Sequence, residues 1–109
     1  MQRTGIPIGV DAGVAVTDTL ATCAAIPFES CVGGMYQVPV GSSVTSLTWH
    51  VQVRDGGSFI PAYDEDGAAV VQTVVHTRAY PIPSALYGAK ALKAVAGGAN
   101  GVIHVLTKS

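Results

Sequence analysis

The feature that most constrains this chain is residues 46–53, where Leu47, Trp49, Val51 and Val53 alternate with Ser46, Thr48, His50 and Gln52. Successive side chains of an extended chain point to opposite faces, so this period of two separates four apolar groups from four polar ones. A half-buried antiparallel strand has that pattern. The segment therefore predicts a strand with Leu47, Trp49, Val51 and Val53 turned into a core.

A longer alternation occupies residues 5–20. Ile6, Ile8, Val10, Ala12, Val14, Val16 and Leu20 fall on even positions, with Asp18 breaking the set, and glycines or small residues fill most odd ones. Interior glycine weakens a strand and Pro7 removes a ladder donor, so the stretch reads as an edge strand or an arm lying on another surface. A frayed terminus is the alternative. The expectation is an extended N-terminal arm over residues 1–20, followed by a domain over residues 21–109. In that arm Ile6, Ile8, Val10, Val14 and Val16 make intermolecular contacts, because an extended segment can add to a neighbour's sheet edge.

Further strands are expected at residues 21–26, 32–40, 58–63 and 69–75. The pairs Gly33-Gly34 and Gly56-Gly57, the latter after Arg54 and Asp55, read as turns, as do Asp64, Glu65, Asp66 and Gly67. Ser84, behind Pro83, opens the one short helical turn, at residues 84–89. Residues 90–95 and 102–107 flank a glycine-rich stretch at 97–101 and read as a closing hairpin. Strands every 8 to 12 residues with glycine punctuation predict an all-β fold, an antiparallel β-sandwich or jelly roll.

The chain has 109 residues, room for one core. Charged residues are 12% of it, about half the usual share of roughly 25%, so much of the exterior is uncharged and suits protein contacts. Six Lys and Arg against seven Asp and Glu, without a basic run, leave no electrostatic footprint for nucleic acid. No run reaches the roughly 18 apolar residues of a membrane span, and no export signal is evident near Arg3. No membrane partner is expected.

Candidate chemistry is sparse. Cys23 and Cys31 are too few for a zinc cluster and too far apart for a CxxC pair; they read as free thiols or as a bridge between neighbouring strands. Asp64, Glu65 and Asp66 supply fewer oxygens than calcium needs. His50, His76 and His104 are isolated in sequence, so no metal site or other cofactor is expected. With no nucleophile or acid–base motif, no enzymatic activity is expected either. Trp49, Tyr36, Tyr63, Tyr80 and Tyr87 could supply an aromatic platform for a sugar, although Trp49 is in phase with the core set.

Residues 46–108 resemble small tailed-bacteriophage head proteins. The resemblance is carried by Leu47-Thr48-Trp49, by Gly57-Ser58-Phe59-Ile60-Pro61-Ala62-Tyr63-Asp64, by Tyr80-Pro81-Ile82-Pro83 and by Leu86-Tyr87-Gly88-Ala89-Lys90. It implies a capsid decoration, or cement, protein: a small β-sandwich made in the host cytoplasm that binds the major capsid protein on the outside of the virion head. Such proteins are often homo-oligomers, with a trimer favoured. The alternative is a carbohydrate-binding β-sandwich module of a virion or cell-surface protein.

Overall fold

The computed structural model describes residues 7–29, 31 and 33–108, with residues 7–13 and 108 described by backbone alone. Nine strands follow in order: β1 (Pro7–Val16), β2 (Ile26–Pro27), β3 (Gly33–Gln37), β4 (Ser46–Gln52), β5 (Ile60–Pro61), β6 (Val71–Thr73), β7 (Ala79–Pro81), β8 (Ala91–Gly97) and β9 (Gly101–Lys108). Single 3-10 turns at Leu20–Thr22 and Ser84–Leu86 are the helical segments among the described residues. The strands form two antiparallel sheets. The front sheet has the order β1-β9-β3-β7, and the back sheet the order β2-β8-β4-β5, with β6 also paired to β4. This is the expected all-β sandwich.

The core lies between the sheets. From the back sheet come Leu47, Trp49, Leu92 and Ala94, and from the front sheet Val16, Tyr36, Ile103 and Val105, all almost wholly buried. Each large apolar side chain taken out of water contributes about 1.5–3 kcal/mol. Phe28, Ile82 and Leu86 complete the cluster from the connections.

β4 follows its alternation over most of its length. Leu47 and Trp49 are fully buried and Val51 is half-buried, but Val53 is 64% exposed. The strand stops at Gln52, whose side chain donates to the Gly57 carbonyl at 2.7 Å. The Gly57 N–H returns to the Arg54 carbonyl at 3.0 Å, and Gly56 takes φ 69°. This turn carries Val53 out of the ladder before it can reach the core.

The outer edge of β4 is shared. β5 pairs with its Val51 end and β6 with its Ser46 end. Between them the chain leaves the edge as a hairpin. The Ala62 N–H donates to the Trp49 carbonyl, the Trp49 N–H to the Val70 carbonyl, and Val70 pairs back to Ala62. Residues 60–73 therefore behave as one edge strand interrupted at Trp49, in place of the longer separate strands expected there. The hairpin tip is self-capped, because the Asp64 carboxylate accepts from the N–H groups of Asp66 and Ala68 at 2.9 and 3.0 Å.

Three expectations need correction. Gly33 and Gly34 lie inside β3, opposite Lys108 and Thr107, and do not turn the chain. A side chain at Gly34 would run into the Leu106 carbonyl, so glycine serves close approach here. Residues 21–26 form a 3-10 turn and the start of the two-residue β2, and not a full strand. β8 and β9 are not a hairpin: they belong to different sheets, and residues 97–101 carry the chain across the sandwich. Gly98, at φ 89°, makes that crossing, with Thr45 and Ser43 too near to admit a Cβ.

Candidate interaction surface

The front sheet takes up most of the predicted arm. β1 runs antiparallel along β9 of its own chain, with Ile8 opposite Thr107, Val10 opposite Val105 and Val14 opposite Ile103. Val14 and Val16 are buried in the chain's own core, so their side chains are not available to a neighbour. The reason is that β9 offers an unpaired edge in the same molecule, which costs less ordering than one in another. Ile6 lies outside the described residues. The register shifts between Val10 and Gly13, a bulge of the kind that breaks up an exposed edge.

Inside the sandwich a polar junction ties the sheets together. The Gln72 side-chain oxygen on β6 accepts from the Trp49 indole N–H at 3.0 Å and from the Tyr36 hydroxyl at 2.5 Å. The Gln72 amide donates onward to the Pro81 carbonyl of β7 at 3.3 Å. Tyr36 packs edge-on to Trp49 and stacks on Tyr80, both at 5.6 Å between ring centres. Burial first, and the adjacent Tyr80 second, raise the Tyr36 phenol well above its ordinary value. A phenol is protonated at neutral pH even without such a shift, so the hydroxyl serves there as a hydrogen-bond donor. The sequence reading missed Gln72, a lone polar residue in a β-branched run, and no local signal marks it.

The other candidate residues are dispersed. His50 stands on the outer side of β4 opposite Lys93, His76 on the connection after β6, and His104 on β9. Among the described residues no three potential metal ligands gather. Cys23 and Cys31 are both buried free thiols; Cys23 donates to the Ala94 carbonyl at 3.2 Å. The aromatics do not share a surface, because Trp49 and Tyr36 are interior while Tyr63 and Tyr87 are exposed on separate connections. Lys90 bridges Glu29 at 2.7 Å and Asp55 at 3.3 Å, and the hydrogen bonds to Glu29 first and Asp55 second raise its pKa.

The two outer sheet faces differ in character. On the back sheet, Ser46, Thr48, His50 and Gln52 alternate outward and all are half-buried. Its own chain covers part of this face: Phe59 lies against the Lys93 ammonium at 4.8 Å, and that ammonium also donates to the Leu20 carbonyl. On the front sheet, Val102, His104 and Leu106 of β9 and Met35 and Gln37 of β3 stand exposed. Met35 and Leu106 are each 45% exposed and directly paired, and with Gln37, Ala79 and His104 they line a shallow depression of about 190 Å³.

No family model, curated protein or solved structure matches this chain. The arrangement is suited to contact with another surface. It offers apolar area, hydrogen-bonding capacity at Gln37 and His104, and no Asp, Glu, Lys or Arg among the residues that line the depression.

Proposed function

We propose that this protein is a structural virion component that binds and stabilises the outer surface of a tailed-bacteriophage capsid through protein–protein contacts. The observation that carries the reading is the exposed outer face of the front sheet around Met35, Gln37, Val102 and Leu106, set on a sandwich whose opposite face is partly covered by its own chain. Exposed apolar surface of this contiguous kind marks interaction sites on soluble domains. The resemblance of residues 46–108 to small phage head proteins directs the reading to the capsid exterior, with the major capsid protein as partner and with self-association.

The test is cosedimentation with expanded heads assembled from the major capsid protein encoded in the same genome. Saturable, stoichiometric pelleting with heads and not with unassembled capsid protein is the expected result. A protein that stays in the supernatant contradicts the proposal, and specific binding on a glycan array would transfer support to the carbohydrate-binding alternative.

A further inference from the structure

We propose that Asn100 is a site of spontaneous covalent modification: its side-chain amide is lost to a succinimide formed with the Gly101 nitrogen, which water opens to isoaspartate and aspartate.

Asn100 is the chain's single asparagine, and glycine follows it. The fold has a use for both residues. The Asn100 side-chain oxygen accepts the Asp18 N–H at 2.9 Å, just past the last rung of the β1–β9 ladder, which joins Val16 to Gly101. A Cβ at position 101 would meet the Val44 side chain at 2.9 Å, so glycine serves close packing there. Glycine after asparagine also leaves the attacking nitrogen unshielded, because no side chain stands over it.

In the reaction the Gly101 nitrogen gives its proton to solvent base and bonds to the Asn100 Cγ, closing a five-membered ring. The Cγ–Nδ2 bond breaks, and that nitrogen takes a proton from water and leaves as ammonia. Water then adds to either ring carbonyl. Opening at Cγ yields aspartate, and opening at the main-chain carbonyl yields isoaspartate, in which the chain runs through the side-chain carbon. The sum is one water consumed and one ammonia released, with no oxidation or reduction.

Three features favour this chemistry at Asn100. The residue is exposed, so base and water reach it and ammonia escapes. The Asp18 N–H already donates to the oxygen on which negative charge develops during attack. Gly101 occupies an end rung, and ladder ends open most readily. Asp55-Gly56 and Asp66-Gly67 present the same glycine nitrogen to carboxylates, which are poor electrophiles.

The product has a structural consequence. Isoaspartate adds a main-chain carbon between Gly98, held at φ 89° against Ser43 and Thr45, and the Val16–Gly101 rung. The longer connection shifts that rung and loosens the end of β1. Aspartate adds charge near Asp18 but leaves the length of the main chain unchanged.

Peptide mapping by mass spectrometry, on folded protein held in mildly alkaline buffer, tests the proposal. The peptide of residues 94–108 should gain one mass unit, with isoaspartate as the larger fraction by electron-transfer fragmentation and by isoaspartate methyltransferase labelling. The rate should rise with pH. Asn100→Gln, whose longer side chain closes a less favourable ring, should abolish the gain, and Asn100→Ser, which has no amide to lose, is a second control. Circular dichroism matching the fresh protein keeps the reaction on the folded chain. The isoaspartate form, resolved chromatographically, should lose hydrogen-exchange protection over residues 14–16, whereas Asn100→Asp should keep it. An Asn100 that stays intact in the folded chain, while a free peptide of residues 97–103 is modified under the same conditions, overturns the proposal. An equal mass gain in Asn100→Gln does the same, and isoaspartate with unaltered exchange at residues 14–16 overturns the loosening of β1.

Discussion

The Gln72 side-chain oxygen accepts the Trp49 indole N–H at 3.0 Å, joining the short edge strand β6 to the residue at which that edge is interrupted. The same oxygen takes the Tyr36 hydroxyl from the opposite sheet. One amide thus satisfies two buried donors that would otherwise be stranded. Buried donors left unpaired cost about 1–3 kcal/mol each. Gln72→Ala should therefore destabilise the fold by about 2–4 kcal/mol. In urea unfolding, the Gln72→Ala loss should shrink when Tyr36→Phe is made beside it; strict additivity would contradict the shared junction.

Trp49 itself is wholly buried and packs edge-on against Tyr36. Trp49→Ala should cost about 3–5 kcal/mol, the range for deleting a large core aromatic. Val53→Ala, in the same alternation but outside the strand, should change stability by no more than about 0.5 kcal/mol. Equal losses at the two positions would contradict the structure.

Alkaline pH should act through Tyr36. Its phenol is raised from an ordinary value of 10.0 by burial, and secondarily by Tyr80. Above that pH the unfolded chain releases a proton that the folded chain keeps, so the folded state binds more protons and stability falls as pH rises. Denaturation midpoints should drop from about pH 10 upward, and Tyr36→Phe should flatten the dependence. An unchanged pH profile in the variant would remove Tyr36 as the cause.

Thr77 is the described non-glycine residue with positive φ, at 70°, and its N–H donates to the Val38 carbonyl at 2.8 Å. A β-branched side chain is poorly suited to that conformation, whereas asparagine tolerates it. Thr77→Asn should stabilise the protein by about 0.5–1 kcal/mol, because the hydrogen bond is made by the backbone and survives. A lower melting temperature would contradict the assigned strain.

Removing residues 1–16 should abolish cooperative folding, since it strips β1 from β9 and takes Val14 and Val16 out of the core. Val16→Ala alone should cost about 2 kcal/mol. A truncated chain that still melts cooperatively would restore the detachable arm.

How much of this was legible in the sequence depended on whether a strand's two faces differ. β4 was legible because Leu47 and Trp49 oppose polar neighbours, and only the sheet's outside is wet. β9 was expected as a strand over 102–107, but which face it buries was not legible: Ile103 and Val105 face the core while Val102 and Leu106 face outward, so both faces carry apolar groups and alternation carries no sign. That is also why the contact face escaped notice. Glycines could not be sorted either, since the Gly33-Gly34 pair permits close packing, Gly98 permits a sheet crossing, and Gly56 permits a tight turn. Those roles are decided by neighbours distant in sequence. The long-range partners of β1 and Gln72 belong to the same class.

The most direct measurement of the central claim is a cryo-EM map of expanded heads saturated with this protein. The account predicts ordered sandwich density on the outer surface, with Met35 and Leu106 shielded by another protein surface. Heads without added density, or bound copies that leave the face around Met35 and Leu106 open to solvent, would contradict it.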